Sequence, residues 1–171
     1  MPSLDARFAA LLDAHADVPW RIARAYTRTP ADREDLYQEM LLHTWRALPA
    51  FRGDASERTW LTRIALNVAL GAVRTRDRRA TVEAPAAVEA ARADARGPAA
   101  DTAHTDALDR LYAAIRTLPE VDRALVLLAL DERPHAEIAD VLGLSVSNVA
   151  VRLHRTRARL ADRLADPLPT S

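Results

Sequence analysis

The chain has 171 residues, 49% hydrophobic, and its 24 cations, all arginine, balance 24 aspartates and glutamates to a formal net charge of zero. That is enough chain for one ordinary domain or two small ones with an apolar core. Cysteine is absent, which excludes a disulfide framework, a thiolate nucleophile and a cysteine-based zinc site. The amino terminus shows no signal-peptide pattern and no apolar run approaches a membrane span, so a cytoplasmic protein without membrane insertion is expected.

Period-2 alternation is not sustained anywhere, while leucine and alanine recur at helical spacing, so the fold class is all-α. A first helical block runs from about Leu4 to Arg79. Within it, Asp32 is a plausible N-cap, with Asp35 three residues on in the capping-box role. Leu36, Met40, His43 and Ala47 fall on one stripe, widened by Leu41, Leu42 and Trp45, and Pro49 ends the helix. After the polar stretch "FRGDASERT", the segment "WLTRIALNVALGAVRTRDRR" has Leu61, Ile64, Ala65, Val68 and Val73 as its expected buried face. Trp60 opens this helix, and Arg63, Asn67 and Arg74 share one of its sides. An aromatic ring beside amide and guanidinium donors suits stacking and edge reading of unpaired bases, although a tryptophan at a helix start also serves as plain core.

The stretch "ATVEAPAAVEAARADARGPAADTAHT" is rich in Ala, Pro, Asp and Glu and nearly lacks large apolar residues. It cannot bury enough surface to offset its ordering entropy and reads as a flexible linker, with a short alanine-rich helix around 86–95 as the alternative. The expected division is therefore a domain at 1–79, a linker at 80–106, a second domain at 107–166 and a tail at 167–171.

In the second block, Leu108, Leu111, Ile115 and Leu118 mark one amphipathic helix ended by Pro119, and Val121 to Leu130 mark another. "PHAEIADVLG" follows, with Pro134 at its first turn and Gly143 where a left-handed C-cap falls. Ser145 then caps a last helix inside "LGLSVSNVAVRLHRTRARL", where Val149, Leu153, Thr156 and Leu160 repeat on one face. Two helices joined by a short glycine-containing turn, the second rich in polar and basic groups, form a helix-turn-helix pattern. The bland alternative is an amphipathic surface helix; Ala139 and Gly143, small residues where two helices would cross closely, favour the motif.

Charge position adds to this. Arginines gather in 46–79 and in 145–171, whereas acidic residues dominate 80–109 and the run Asp32, Glu34, Asp35 and Glu39. Two basic surfaces in an acidic frame are the footprint of a phosphate backbone touched at two places. Constellations for chemistry are weak: Glu39 and His43 lie four apart without a third ligand, His135 and His154 are isolated, and no phosphate-cradling glycine loop or nucleophile elbow occurs. The chain reads as a non-enzyme with neither metal nor cofactor.

Taken together, "DREDLYQEMLLHTWRALPAFRG", "TWLTRIALN", "RTRDRR", "LPEVDRALVLLAL" and "HAEIADVLGLSVSNVAVRLHRTRARL" resemble an extracytoplasmic-function sigma factor of bacterial RNA polymerase, of the sigma-70 family. The resemblance covers both helical blocks in order. It implies a region-two bundle and a region-four helix-turn-helix domain that bind core polymerase and direct promoter recognition, DNA melting and transcription initiation. Asp32, Asp35, Leu36, Gln38 and Glu39 would dock on the clamp helices of the β′ subunit. Phe51, Arg52, Ser56, Trp60, Arg63 and Asn67 would capture an unpaired minus-ten base, with Arg74, Arg76, Arg78 and Arg79 on phosphates near the melted junction. Ser147, Asn148, Val151, Arg152, Arg155 and Arg157 would face the minus-thirty-five duplex, and an apolar groove near Leu118, Leu125 and Leu128 would meet the β flap. An anti-sigma factor is a further partner the resemblance allows.

The chain departs from the family pattern at Gly71, where an aspartate is common, and at Ala150 and Val151 in the last helix. Rival readings are a regulator using only its helix-turn-helix, an interaction protein that titrates an anti-sigma factor, and a small metalloenzyme built on Glu39 and His43.

Overall fold

A computed structural model describes residues 3–82 and 102–165, and for residues 79–82 and 102–105 the backbone alone. Among the described residues every regular element is helical, and the chain divides into two compact units, residues 1–95 and 96–171. The first holds α1 (Leu4–His15), α2 (Asp17–Tyr26), α3 (Pro30–Ala47), a 3₁₀ turn (Leu48–Ala50) and α4 (Glu57–Val82). The second holds α5 (Thr102–Arg116), α6 (Glu120–Leu130), α7 (His135–Leu142) and α8 (Val146–Ala165).

Helix α3 starts two residues before the expected N-cap. Thr29 caps it by accepting a 3.0 Å hydrogen bond from the Asp32 amide, and Pro30 occupies the first turn, where its missing N–H costs nothing. Asp32 then lies in that first turn, where the helix dipole favours a carboxylate, rather than at the cap. The buried line of α3 also differs from the expected stripe: it is Leu36, Met40 and Thr44, while His43, Leu42 and Trp45 are exposed. Thr44 can be interior because its hydroxyl donates to the Met40 carbonyl at 2.8 Å, satisfying the one polar group that burial would strand.

Helix α4 packs on α2 and α3. Leu61, Ala65, Leu66 and Ala69 are buried, and Ile64, Val68 and Val73 are half-buried. Ala65 and Ala69 on α4, with Ala23 and Ala25 on α2, keep this crossing close, since small side chains let helix axes approach. Helix extends through 80–82 and 102–106, the margins of the expected linker, where a nucleated helix adds residues at little cost. The rest of that linker, the alternative helix at 86–95 and the tail at 167–171 lie outside the described residues.

In the second unit, Ile115, Leu125, Ile138 and Val149 are fully buried at the centre. Arg123 closes the carboxyl end of α5, donating to the Leu118 carbonyl at 3.0 Å and the Arg116 carbonyl at 3.1 Å. The α7–α8 turn follows the expected chemistry. Gly143 is left-handed at φ +66°, the Leu144 amide returns to the Ala139 carbonyl at 2.9 Å, and Ser145 accepts from the Asn148 amide at 3.2 Å.

Candidate nucleic-acid interface

The first site is built around the entry to α4. Ser56 is its N-cap: the hydroxyl accepts from the Thr59 amide at 3.1 Å and contacts the Thr59 hydroxyl at 2.7 Å. That places Trp60 one turn inside, stacked on Phe51 with centroids 4.7 Å apart and planes tilted by 32°. Both rings are half-buried, and Arg52 beside them is exposed. Ser56 therefore shapes the loop through its cap as well as lying near its surface.

Arg58, within the arginine-rich 46–79 stretch, donates two hydrogen bonds to Asp17 on α2, at 3.1 and 2.8 Å. The Arg58 hydrogen bond, and then attraction to Arg58 and Arg21 against some desolvation, hold the Asp17 carboxyl below the usual range. A second link, His15 to Glu57 at 3.9 Å, lies beside it. The start of α4 is thus tied to the α1–α2 corner. No short-range sequence signal announces such a pair.

Further along α4, the advance of about 100° per residue puts half-buried Arg63 and exposed Asn67, Arg74 and Arg78 on one side. Arg76 falls elsewhere. With Asn67, Gly71 and Thr75 it lines an open groove whose other wall carries Asp32, Asp35, Glu39 and His43 of α3. Two residue sets that the sequence kept apart are thereby opposite walls of one feature. Arg79 is helical in backbone, and its side chain is outside the described residues.

On α3, Asp35, Gln38 and Glu39 are exposed, Asp32 is half-buried and Leu36 is core at 6% exposure. Gln38 donates to Glu34 at 3.1 Å. Leu42 and Trp45, read from sequence as extra width of the buried stripe, are instead exposed apolar members of the outward face, with the Trp45 indole N–H on Asp5 at 3.4 Å. Their helical offset from the buried Leu36–Met40–Thr44 line, which includes a threonine and so is not marked by apolar residues alone, puts them there. On the α2 side, Trp20 meets the edge of Tyr37 at 5.5 Å and lies 5.7 Å beneath the Arg33 guanidinium. Burial and then Glu34 raise the Tyr37 hydroxyl pKa.

The last site is α8. Ser147, Asn148, Val151 and Arg155 are exposed, Val151 at 50%. Arg152 is partly buried, and its Nε and Nη2 both donate to Asp122 Oδ1 of α6, at 2.9 and 2.6 Å. Arg157 lies on the opposite flank, lining a small apolar groove with Leu111, Val126, Ala129, Leu130, Leu153 and Leu160. Leu118, Leu125 and Leu128, expected to form such a groove, are 4%, 0% and 3% exposed and offer no surface. Leu125 and Leu128 sit on the inward face of α6 and Leu118 in the α5–α6 turn, so the groove runs along Leu130 and Leu111 instead.

Among the described residues no group of three or more His, Asp and Glu side chains could hold a metal ion, and no helix is long and apolar enough to cross a membrane.

Comparison with known proteins matches the sigma-70 region 2 family model to residues 11–79 and the sigma-70 region 4 model to residues 108–160. The chain is 33% identical over 168 residues to the ECF RNA polymerase sigma factor SigE of Mycolicibacterium smegmatis, covering 96% of this chain and 63% of SigE. It thus spans less than two thirds of that relative's length. It is 34% identical over 156 residues to the ECF RNA polymerase sigma factor SigM of Mycobacterium tuberculosis, covering 90% of this chain and 75% of SigM. In fold it is similar to the sigma factor RpoE of Bartonella quintana, solved in complex with the anti-sigma factor NepR. The TM-score is 0.67 at 21% identity, over 94% of this chain and 96% of that one. With both sigma-70 regions matched in order and SigM-like sequence along most of its length, the chain belongs to the extracytoplasmic-function group of the sigma-70 family.

Proposed function

We propose that the protein binds core RNA polymerase in the cytoplasm and directs promoter recognition, DNA melting and transcription initiation, with the polymerase supplying all covalent chemistry and no cofactor on the sigma chain. Domains at 1–79 and 107–166, joined through 80–106, carry the two contacts. The observation that carries this reading is that one chain pairs an aromatic and arginine-bearing α4 with a helix-turn-helix whose α8 edge is exposed, each inside its own sigma-70 region.

The roles divide by chemistry. Asp35, Gln38 and Glu39, with exposed Leu42 and Trp45, offer an acidic and apolar face to a basic helical partner, the β′ clamp helices; acidic groups there also repel DNA. Phe51, Arg52, Trp60, Arg63 and Asn67 supply stacking and hydrogen bonds to an unpaired minus-ten base, offsetting the few kcal/mol lost on unstacking. Arg74, Arg76, Arg78 and Arg79 meet phosphates near the junction. Ser147, Asn148, Val151 and Arg155 at the start of α8 read the minus-thirty-five major groove, where Val151 suits a thymine methyl. The apolar groove at Leu111 and Leu130, with Arg157 on its rim, receives the β flap. An anti-sigma factor, the partner in the RpoE complex, is a further ligand of these faces.

Run-off transcription with core polymerase on genomic fragments tests the proposal. Wild type yields promoter-specific transcripts, and Trp60→Ala and Arg155→Ala reduce them while retaining core binding. No specific transcript despite intact core binding defeats the reading, and tight binding to palindromic duplex without polymerase favours the lone helix-turn-helix regulator.

A further inference from the structure

Resting on that reading of α8, we propose that Asp122 is a positioning residue for duplex recognition. It holds Arg152 against α6, so that Arg152 sets the orientation of α8 and takes no part in reading bases. The reading edge is then Ser147, Asn148, Val151 and Arg155.

The geometry of the pair carries the argument. Asp122 and Arg152 lie 30 positions apart in sequence, yet two guanidinium nitrogens converge on a single carboxylate oxygen at 2.9 and 2.6 Å. The Asp122 side chain is only 10% exposed, and its other oxygen has Arg159 at 3.9 Å, itself 61% exposed and beyond hydrogen-bond reach. Swinging Arg152 out to a base would leave a nearly buried carboxylate without a hydrogen-bonded counter-ion, a costlier state than an exposed arginine gives up when it binds DNA. Arg155, by contrast, is exposed.

Placement around the helix agrees. The buried line of α8 is Val149, Leu153, Thr156 and Leu160. With an advance of about 100° per residue, Ser147 and Val151 fall opposite that line, Asn148 and Arg155 beside them, and Arg152 between them and the core, toward α6. Asp122 is itself well anchored, in the first turn of α6 where the helix dipole favours a carboxylate. Helix α8 is therefore fixed at two points, by the Gly143–Ser145 turn at its start and by the Asp122 clamp two turns along. Fixing both is what sets the angle at which its first turns would enter a groove.

The test uses the full chain assembled with core polymerase and a duplex library randomised across the upstream element, comparing wild type, Asp122→Asn, Arg152→Gln, the double variant and Arg155→Gln. The clamp predicts that Asp122→Asn, Arg152→Gln and the double variant each bind the wild-type-selected duplex roughly tenfold more weakly, with no added loss in the double, as expected for two groups acting as one unit. Base preferences stay unchanged at every position in these three, while Arg155→Gln loses preference at a base pair. Loss of preference at one base pair in Arg152→Gln, with Asp122→Asn retaining it, overturns the proposal. A wild type that enriches no sequence defeats the promoter reading instead. The clamp is then judged by urea unfolding of the same four Asp122 and Arg152 forms, where coupled losses support it and additive losses overturn it.

Discussion

The Arg58 guanidinium lies in a two-pronged hydrogen bond with the Asp17 carboxylate, at 3.1 and 2.8 Å, and joins the start of α4 to α2 across 41 positions of sequence. The pair is directly followed by the Thr59 and Trp60 turn that Ser56 caps. The aromatic platform is therefore oriented by an ion pair on the far side of the helix entry. Asp17 is folded with a pKa below its usual 3.8, so its contribution to stability is complete above that value and is lost as pH falls through the lower folded value. Because the Asp17 side chain is 48% exposed, solvent screens the pair, and Asp17→Asn should cost about 0.5–1 kcal/mol at neutral pH. Urea unfolding of wild type and Asp17→Asn should show that difference at pH 7 and show it shrinking below pH 3.8. A difference that grows on acidification contradicts the assignment.

Phe51 and Trp60 should act as one stacking unit. Base–aromatic stacking contributes about 1–3 kcal/mol per base, so Trp60→Ala should reduce promoter opening by roughly ten- to a hundredfold, and Trp60→Phe by much less. Since the rings touch, Phe51→Ala combined with Trp60→Ala should lose less than the sum of the single effects. Fluorescence of a base analogue in the melted strand, read with polymerase affinity measured separately, checks both statements.

Replacing Gly143 and Gly71 by alanine should move stability in opposite directions. Gly143 sits at φ +66° in open space, so Gly143→Ala pays backbone strain of about 1–2 kcal/mol without any clash. Gly71 lies inside α4 in ordinary helical conformation with nothing within 4 Å of an added Cβ. Gly71→Ala should therefore stabilise by about 1 kcal/mol through lower unfolded-state entropy and better helix propensity. Thermal midpoints of the two variants distinguish the signs.

Leu125 and Leu130 occupy one helix but differ in what they do. Leu125 is fully buried, and Leu125→Ala should cost about 2–5 kcal/mol as a core cavity. Leu130 is 50% exposed on the rim of the apolar groove, so Leu130→Glu should leave stability within about 0.5 kcal/mol while weakening assembly with core polymerase. Calorimetry alongside a polymerase-binding titration separates the two; equal losses of stability would mean that the groove is not an open surface.

Much of this protein was legible before folding because the relevant physics is local. Helical spacing, Pro134, Gly143 and Ser145 act within a few residues of chain, so the all-α class, the helix-turn-helix and its turn follow from short-range rules. The register of α3 did not follow as cleanly. Leu42 and Trp45 are apolar, and a pattern of apolar residues cannot say which of two adjoining faces is covered when a threonine can be buried on its own carbonyl.

The sequence by itself determined the helical class, the two blocks, the residues of the turn and the family those residues resemble. Tertiary structure alone decided which arginines remain available. Arg58 and Arg152 look in sequence like their neighbours, but carboxylates 41 and 30 positions away hold them. Coulomb attraction and desolvation depend on distances through space, and residues that far apart along a chain acquire those distances only when the helices pack.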